Sequence, residues 1–122
     1  MKRILIVDDA ATIRLFNRHT LEKAGFAVDE AVNGVEALEK ALQRNYDLYL
    51  VDVNMPVQDG FSFLRQLREQ PIPQAPGLMI TTEAGSHDRE QAWAAGANFY
   101  LNKPIKADAL HRLVDLLTGG AA

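Results

Sequence analysis

Three short runs of this chain are apolar at every position: residues 4–7 (Ile, Leu, Ile, Val), 48–51 (Leu, Tyr, Leu, Val) and 78–80 (Leu, Met, Ile). A strand that is hydrophobic on both sides must be covered on both sides, which is the mark of a parallel sheet with helices on each face. Two weaker runs, 26–30 and 98–101, mix polar with apolar residues, as edge strands do. Between the runs, apolar residues fall at helical spacing. Leu110, Leu113, Val114 and Leu117 form an i, i+3, i+4, i+7 stripe. Ile13, Phe16, Thr20 and Leu21 mark a first helix, Val35, Leu38, Ala41 and Leu42 a second, Phe63, Leu64 and Leu67 a third, and Ala-rich 86–95 a weaker fourth. Strands and helices that alternate in this way predict an α/β fold, a doubly wound (βα)5 sandwich. With the apolar strands central, the five-stranded parallel sheet has the order 2-1-3-4-5.

The breakers agree. Gly25 and Gly96 follow helical stretches, where a left-handed cap needs glycine. Asp59 precedes Gly60 as a cap for the third helix, and Pro71, Pro73 and Pro76 end it. The length of 122 residues fits one domain, read as 1–118 with 119–122 as a flexible tail.

In such a sheet, ligands bind beyond the carboxyl ends of the strands. Asp8 and Asp9 follow the first apolar run and Asp52 ends the third strand. Thr81 and Thr82 follow the fourth, and Lys103, before Pro104, follows the fifth. Each alone has a plain reading: a turn, a cap, a β-branched strand residue, a solvated lysine. Together they converge on one edge. Three close carboxylates repel unless a cation intervenes, and one lysine offsets them only partly. A hard cation such as Mg²⁺ suits oxygen ligands of this kind and accepts phosphate oxygens as well. Asp52 could then act as a nucleophile toward phosphorus, with Lys103 and the Thr81 hydroxyl meeting the phosphoryl oxygens.

The ordered set Ile4-Leu5-Ile6-Val7-Asp8-Asp9, Val51-Asp52-Val53-Asn54-Met55-Pro56 with Asp59-Gly60, Ile80-Thr81-Thr82-Glu83-Ala84, Gly96-Ala97 and Tyr100-Leu101-Asn102-Lys103-Pro104 resembles the receiver domain of bacterial response regulators, from Lys2 to about Leu117. The resemblance implies a flavodoxin-like fold and a phosphorelay role. Asp9 would bind Mg²⁺ directly and Asp8 through water. Asp52 would be metal ligand and phosphorylation site, and Asn54 would give its backbone carbonyl. Lys103 would bind the phosphate, with a cis bond before Pro104. Thr81 and Tyr100 would form the switch, Thr81 gaining a partner only on phosphorylation and Tyr100 swinging inward. The readout face would be the fourth helix, fifth strand and fifth helix, with Tyr100, Lys106 and the region near Trp93 on or near it. A sensor histidine kinase or phosphotransfer protein would be the phosphodonor, and slow self-dephosphorylation is implied, not enzymatic turnover. Thr81-Thr82-Glu83 with Asn54 resembles CheY-type chemotaxis regulators, whose target is a flagellar motor component. The alternative is a receiver excised from a larger transcription factor or hybrid histidine kinase.

Composition narrows the rest. A 48% hydrophobic content supports a core, and a net charge of −3 argues against a nucleic-acid surface. The absence of cysteine excludes disulfides and thiolate zinc sites. No apolar run approaches the ~18 residues of a membrane span. A cytoplasmic monomer is the expectation. His19, His87 and His111 fall on helices away from the acidic edge and read as surface residues. A dehalogenase-like phosphatase would need an acid two residues after its nucleophile, where Asn54 stands. A flavin-binding loop would not begin with Asp8-Asp9.

Overall fold

The computed structural model describes residues 1–55, 57–81 and 86–121, with the backbone alone at 86–88. Pro56, the stretch 82–85 and the His87 side chain, all used in the sequence reading, lie outside the described residues. Five strands and five helices alternate: β1 Arg3–Val7, α1 Ala11–Lys23, β2 Ala27–Ala31, α2 Gly34–Gln43, β3 Leu48–Asp52, α3 Gly60–Glu69, β4 Gly77–Thr81, α4 Ser86–Ala95, β5 Phe99–Asn102 and α5 Ala107–Thr118. The sheet is parallel throughout, in the expected order β2-β1-β3-β4-β5.

Side chains alternate across the strands, so each central strand feeds two cores. Leu5, Val7, Tyr49, Val51 and Met79 pack on one face with Phe63, Leu64 and Leu67 of α3. Ile4, Ile6, Leu48, Leu50, Leu78 and Ile80 pack on the other with Leu21 of α1 and Leu110 and Val114 of α5. Fully burying a side chain of this size contributes roughly 1.5–3 kcal/mol.

Two helices depart from the predicted stripes. In α1 the buried positions are Asn17 and Leu21, while Phe16 is 48% exposed. In α2 the inward face is Gly34, Ala37 and Ala41, and Val35 and Leu42 stand outside. Leu38 and Ala41 of the predicted stripe do pack on the core, joined by Ala37, so the inward face is centred one residue away from Val35 and Leu42. The third stripe is buried as expected.

Gly25 and Gly96 take positive φ, at 99° and 103°. Beyond α5, Gly119 is left-handed and its N–H donates to the Asp115 carbonyl at 2.8 Å. The Lys2 N–H donates to the Ala121 carbonyl at 3.5 Å, so the tail runs beside the start of β1.

Asp59 caps α3, its Oδ1 accepting from the Ser62 N–H at 2.8 Å. Asp59→Ala is expected to lower stability by about 1 kcal/mol, read from urea unfolding midpoints. An unchanged midpoint would mean that tertiary packing alone fixes this helix start.

Candidate functional site

Register places the acidic residues. Val7 of β1 is level with Val51 of β3, so Asp8 and Asp52, one residue further on, emerge at the same height. Asp52 is level with Ile80 of β4, and Thr81 is level with Asn102 of β5. Lys103 is the next residue, and its N–H donates to the Thr81 carbonyl at 2.6 Å. The Lys103–Pro104 bond is cis, as the resemblance implies.

A carboxylate oxygen of each of Asp8, Asp9 and Asp52 lies within 4.8 Å of the others. Asp8 and Asp52 are buried, and Asp9 is exposed at the rim. The Lys103 Nζ stands 3.4 Å from Asp8 Oδ2 and 3.4 Å from Asp52 Oδ1. One ammonium thus serves two buried carboxylates. Burial, and after it the Asp8 charge, raises the Asp52 carboxyl above the ordinary aspartate range; Lys103 and the Asn54 N–H pull the other way. Among the described residues the Asp9 side chain makes no hydrogen bond or ion pair. Three carboxylates facing one ammonium, all hard oxygen donors with one still uncommitted, fit a small divalent cation.

The surrounding loops orient the trio. Asp8 Oδ1 accepts from the Ala10 N–H at 2.9 Å, and its own N–H donates to the Ala31 carbonyl at 3.1 Å. Asn54 turns back over the site. Its N–H donates to Asp52 Oδ1 at 3.3 Å, and its Nδ2 donates to Thr81 Oγ1 at 3.3 Å. The Thr81 hydroxyl, 1% exposed, is therefore already engaged. This corrects the expectation that it gains a partner only on phosphorylation. Tyr100 is also already inside, 6% exposed and packed in the core beneath α4. It does not stand on the outer face beside Trp93, which is half exposed. His19 is exposed, and His111 pairs with Asp115 at 3.1 Å on α5; neither joins the site.

Sequence reasoning missed three contributors. These are the Asn54 side chain as a bridge to Thr81, Gly60 directly beneath Asp52, and Arg14, whose Nη1 donates to the Asp8 carbonyl at 2.8 Å. Only Gly60 left a signal, its place after the Asp59 cap.

Fold and site together define a doubly wound α/β domain with an acidic, lysine-bearing pocket at the carboxyl edge of its sheet. The family model for the response regulator receiver domain matches residues 4–115, and the chain belongs to that family. Receiver domains are phosphoaccepting signalling modules, not turnover enzymes. The chain is 44% identical over 103 residues to the transcriptional regulatory protein ResD of Bacillus subtilis, a match covering 84% of this chain and 42% of that protein. It therefore spans less than half the length of that relative. Among solved structures, the chemotaxis protein CheY4 of Vibrio cholerae superposes with a TM-score of 0.91 at 38% identity, covering 96% of this chain and 98% of that one. The response regulator TrrA of Thermotoga maritima, in complex with Mg²⁺–BeF, superposes with a TM-score of 0.84 at 36% identity, covering 96% and 99%. Among the described residues no helix is long and apolar enough to cross a membrane.

Proposed function

We propose that this chain is a Mg²⁺-dependent phosphoryl acceptor of a two-component phosphorelay, taking the group on Asp52 and thereby switching a partner-binding surface. The single observation carrying this reading is the Asp8, Asp9 and Asp52 trio with Lys103 bridging two of its members. Asp8, Asp9, Asp52 and the Asn54 backbone carbonyl would hold the ion. Bound there, Mg²⁺ supplies positive charge that offsets carboxylate and phosphoryl oxygens.

The chain's own residues do the rest. An Asp52 carboxylate oxygen bonds to phosphorus as the P–N bond of a donor phosphohistidine breaks, and the electron pair leaves with the imidazole nitrogen. Lys103 gives up its Asp52 partner and pairs with a phosphoryl oxygen. The Asn54 amide holds the Thr81 oxygen at the site, and on phosphorylation the hydroxyl exchanges a present contact for a phosphoryl oxygen. The new group adds about −1.5 to −2 charge. That differential contact biases α4 and β5 between two arrangements. An apolar groove of about 250 Å³, lined by Ile13, Phe16, Ile80, Pro104 and Ile105, opens beside Lys103. It offers a sensor histidine kinase or phosphotransfer protein a place to dock with its phosphohistidine over Asp52.

The domain, residues 1–118, would act as a cytoplasmic stand-alone regulator of chemotaxis type with a flagellar motor component as target. The 38% identity to the chemotaxis protein CheY4 supports the chemotaxis assignment. A second reading, a receiver within a longer transcriptional regulator or hybrid kinase, is favoured by the partial match to ResD.

The test is intact mass after incubation with acetyl phosphate. One phosphoryl adduct is expected with Mg²⁺, and none with EDTA or in Asp52→Asn. No adduct in the wild-type chain after rapid acid quenching would overturn the reading.

A further inference from the structure

Behind the acid pair lies a second layer of charge, built from α1 and β2. Arg14, in the first turns of α1, donates through Nη1 to the Asp8 carbonyl at 2.8 Å and through Nε to Glu30 Oε1 at 2.9 Å. Glu30 sits on the edge strand and is held from its other side by Arg18, Nη1 to Oε2 at 2.6 Å. The hydrogen bond from Arg18, and then that from Arg14, keeps the Glu30 carboxyl below the usual range against the opposing effect of burial. Lys40 Nζ donates to the Glu30 backbone carbonyl. The Asp8 carbonyl belongs to the peptide that leads into Asp9, so the orientation of that peptide sets the direction in which Asp9 leaves the strand. The Asp8 N–H is already tied to Ala31. Arg14 supplies the remaining tie, and Glu30 keeps its guanidinium where it is.

We propose that Arg14 and Glu30 are positioning residues for the divalent cation. Arg14 fixes the Asp8–Asp9 peptide so that both carboxylates face Asp52. Glu30 holds the guanidinium outside the acidic trio, where a released arginine would compete with the ion. The inference rests on reading the trio as a Mg²⁺ site. It differs from a purely structural α1–β2 ion pair in what it demands of metal affinity. Partners that orient first ligands typically cost 10–100-fold in affinity when removed.

The experiment is calorimetric titration of Mg²⁺ into the full chain as wild type, Arg14→Met, Arg14→Lys, Glu30→Gln and the Arg14→Met/Glu30→Gln pair. Melting temperatures are taken in EDTA alongside. Each of Arg14→Met and Glu30→Gln is expected to weaken Mg²⁺ about 10-fold, and the double variant no more than the weaker single, because the two act as one unit. Arg14→Lys should recover part of the loss, since an ammonium can still donate to the Asp8 carbonyl. The ranking of affinities should not follow the ranking of melting temperatures in EDTA. Single variants within twofold of a binding wild type, or losses that multiply in the double, would overturn the proposal. Should Arg14→Met fail to fold, the nearly isosteric Glu30→Gln decides alone on the same twofold limit. A wild type that does not bind Mg²⁺ removes the reading of the trio itself, which is a different and recognisable failure.

Discussion

Asp52→Asn is expected to abolish phosphoryl transfer and, in the same protein, to raise the metal-free melting temperature at pH 7. Both effects have one origin. Asp52 is buried beside Asp8, and Lys103 is the ammonium the pair shares. An amide cannot act as the phosphoryl acceptor, so the adduct vanishes. The same change removes one of two repelling buried charges and leaves Asp8 and Lys103 as a balanced pair. The Asn54 N–H keeps its acceptor, because the Asn carbonyl oxygen replaces Asp52 Oδ1. The direction with pH follows from the raised Asp52 pKa. The folded state holds its proton more tightly than the unfolded chain. Wild-type stability therefore falls as pH rises through the folded pKa, and the penalty is complete above it. The advantage of Asp52→Asn should be full above the folded value, shrink as pH falls through it, and disappear below the ordinary aspartate value. Each kcal/mol relieved corresponds to about 4 °C in a domain of this size. Mg²⁺ should raise the wild-type melting temperature by ligand linkage and raise that of the variant less. Calorimetric melts across pH with and without Mg²⁺ test all of this. A variant less stable than wild type at pH 7 in EDTA would mean that Lys103 already over-compensates the two carboxylates.

Lys103 marks the opposite case. Removing it strands both carboxylates, whereas removing Asp52 strands nothing. That asymmetry depends on who faces whom, and it is the part of the site that sequence shows least well. The strands were legible because burial on both faces leaves no room for polar residues at 4–7, 48–51 and 78–80. Their shared direction then placed Asp8, Asp52, Thr81 and Lys103 at one edge without further information. The Asp59 cap and the turns at Gly25 and Gly96 were legible because local backbone geometry requires those residue types. The helix faces of α1 and α2 were not. Periodicity identifies a stripe but not its exact centre, and α2 turns Ala37 inward with Leu38 and Ala41 while Val35 and Leu42 stay outside. The Arg14–Glu30 contact joins residues 16 apart across two elements, so no local pattern announces it. The Asn54–Thr81 hydrogen bond spans 27 residues and turns on a single rotamer. Such contacts are consequences of packing, and they become visible only once the sheet has set the register.

Gly60→Ala is expected to destabilise the domain by about 1–3 kcal/mol, toward the upper end, and to slow phosphorylation of Asp52. The prediction sets two effects of opposite sign against each other. Gly60 opens α3, and alanine in a helix is favoured over glycine by roughly 0.5–1 kcal/mol. Against that, a Cβ on Gly60 would lie 2.4 Å from the Asp52 carbonyl oxygen, 2.9 Å from Met79 Cε and 3.0 Å from Val51 Cγ1. Met79 can swing its methyl aside. The Asp52 carbonyl is backbone at the end of a central strand, and it can yield only by carrying the acceptor side chain with it or by lifting α3 off the sheet. The Gly60 N–H also donates to the Val53 carbonyl at 3.0 Å, so the helix start is tied to the strand it would have to leave. A steric conflict of this depth outweighs the propensity gain. Because a displacement of about 1 Å at a reacting atom can cost 10²-fold in rate, acceptor function should suffer even where the fold survives. Urea unfolding gives the stability change, and the rate of adduct formation from acetyl phosphate at saturating Mg²⁺ gives the second reading. If Gly60→Ala proves as stable as wild type and accepts phosphate at the same rate, α3 must slide freely over β3, and the close approach to Asp52 does not position the acceptor.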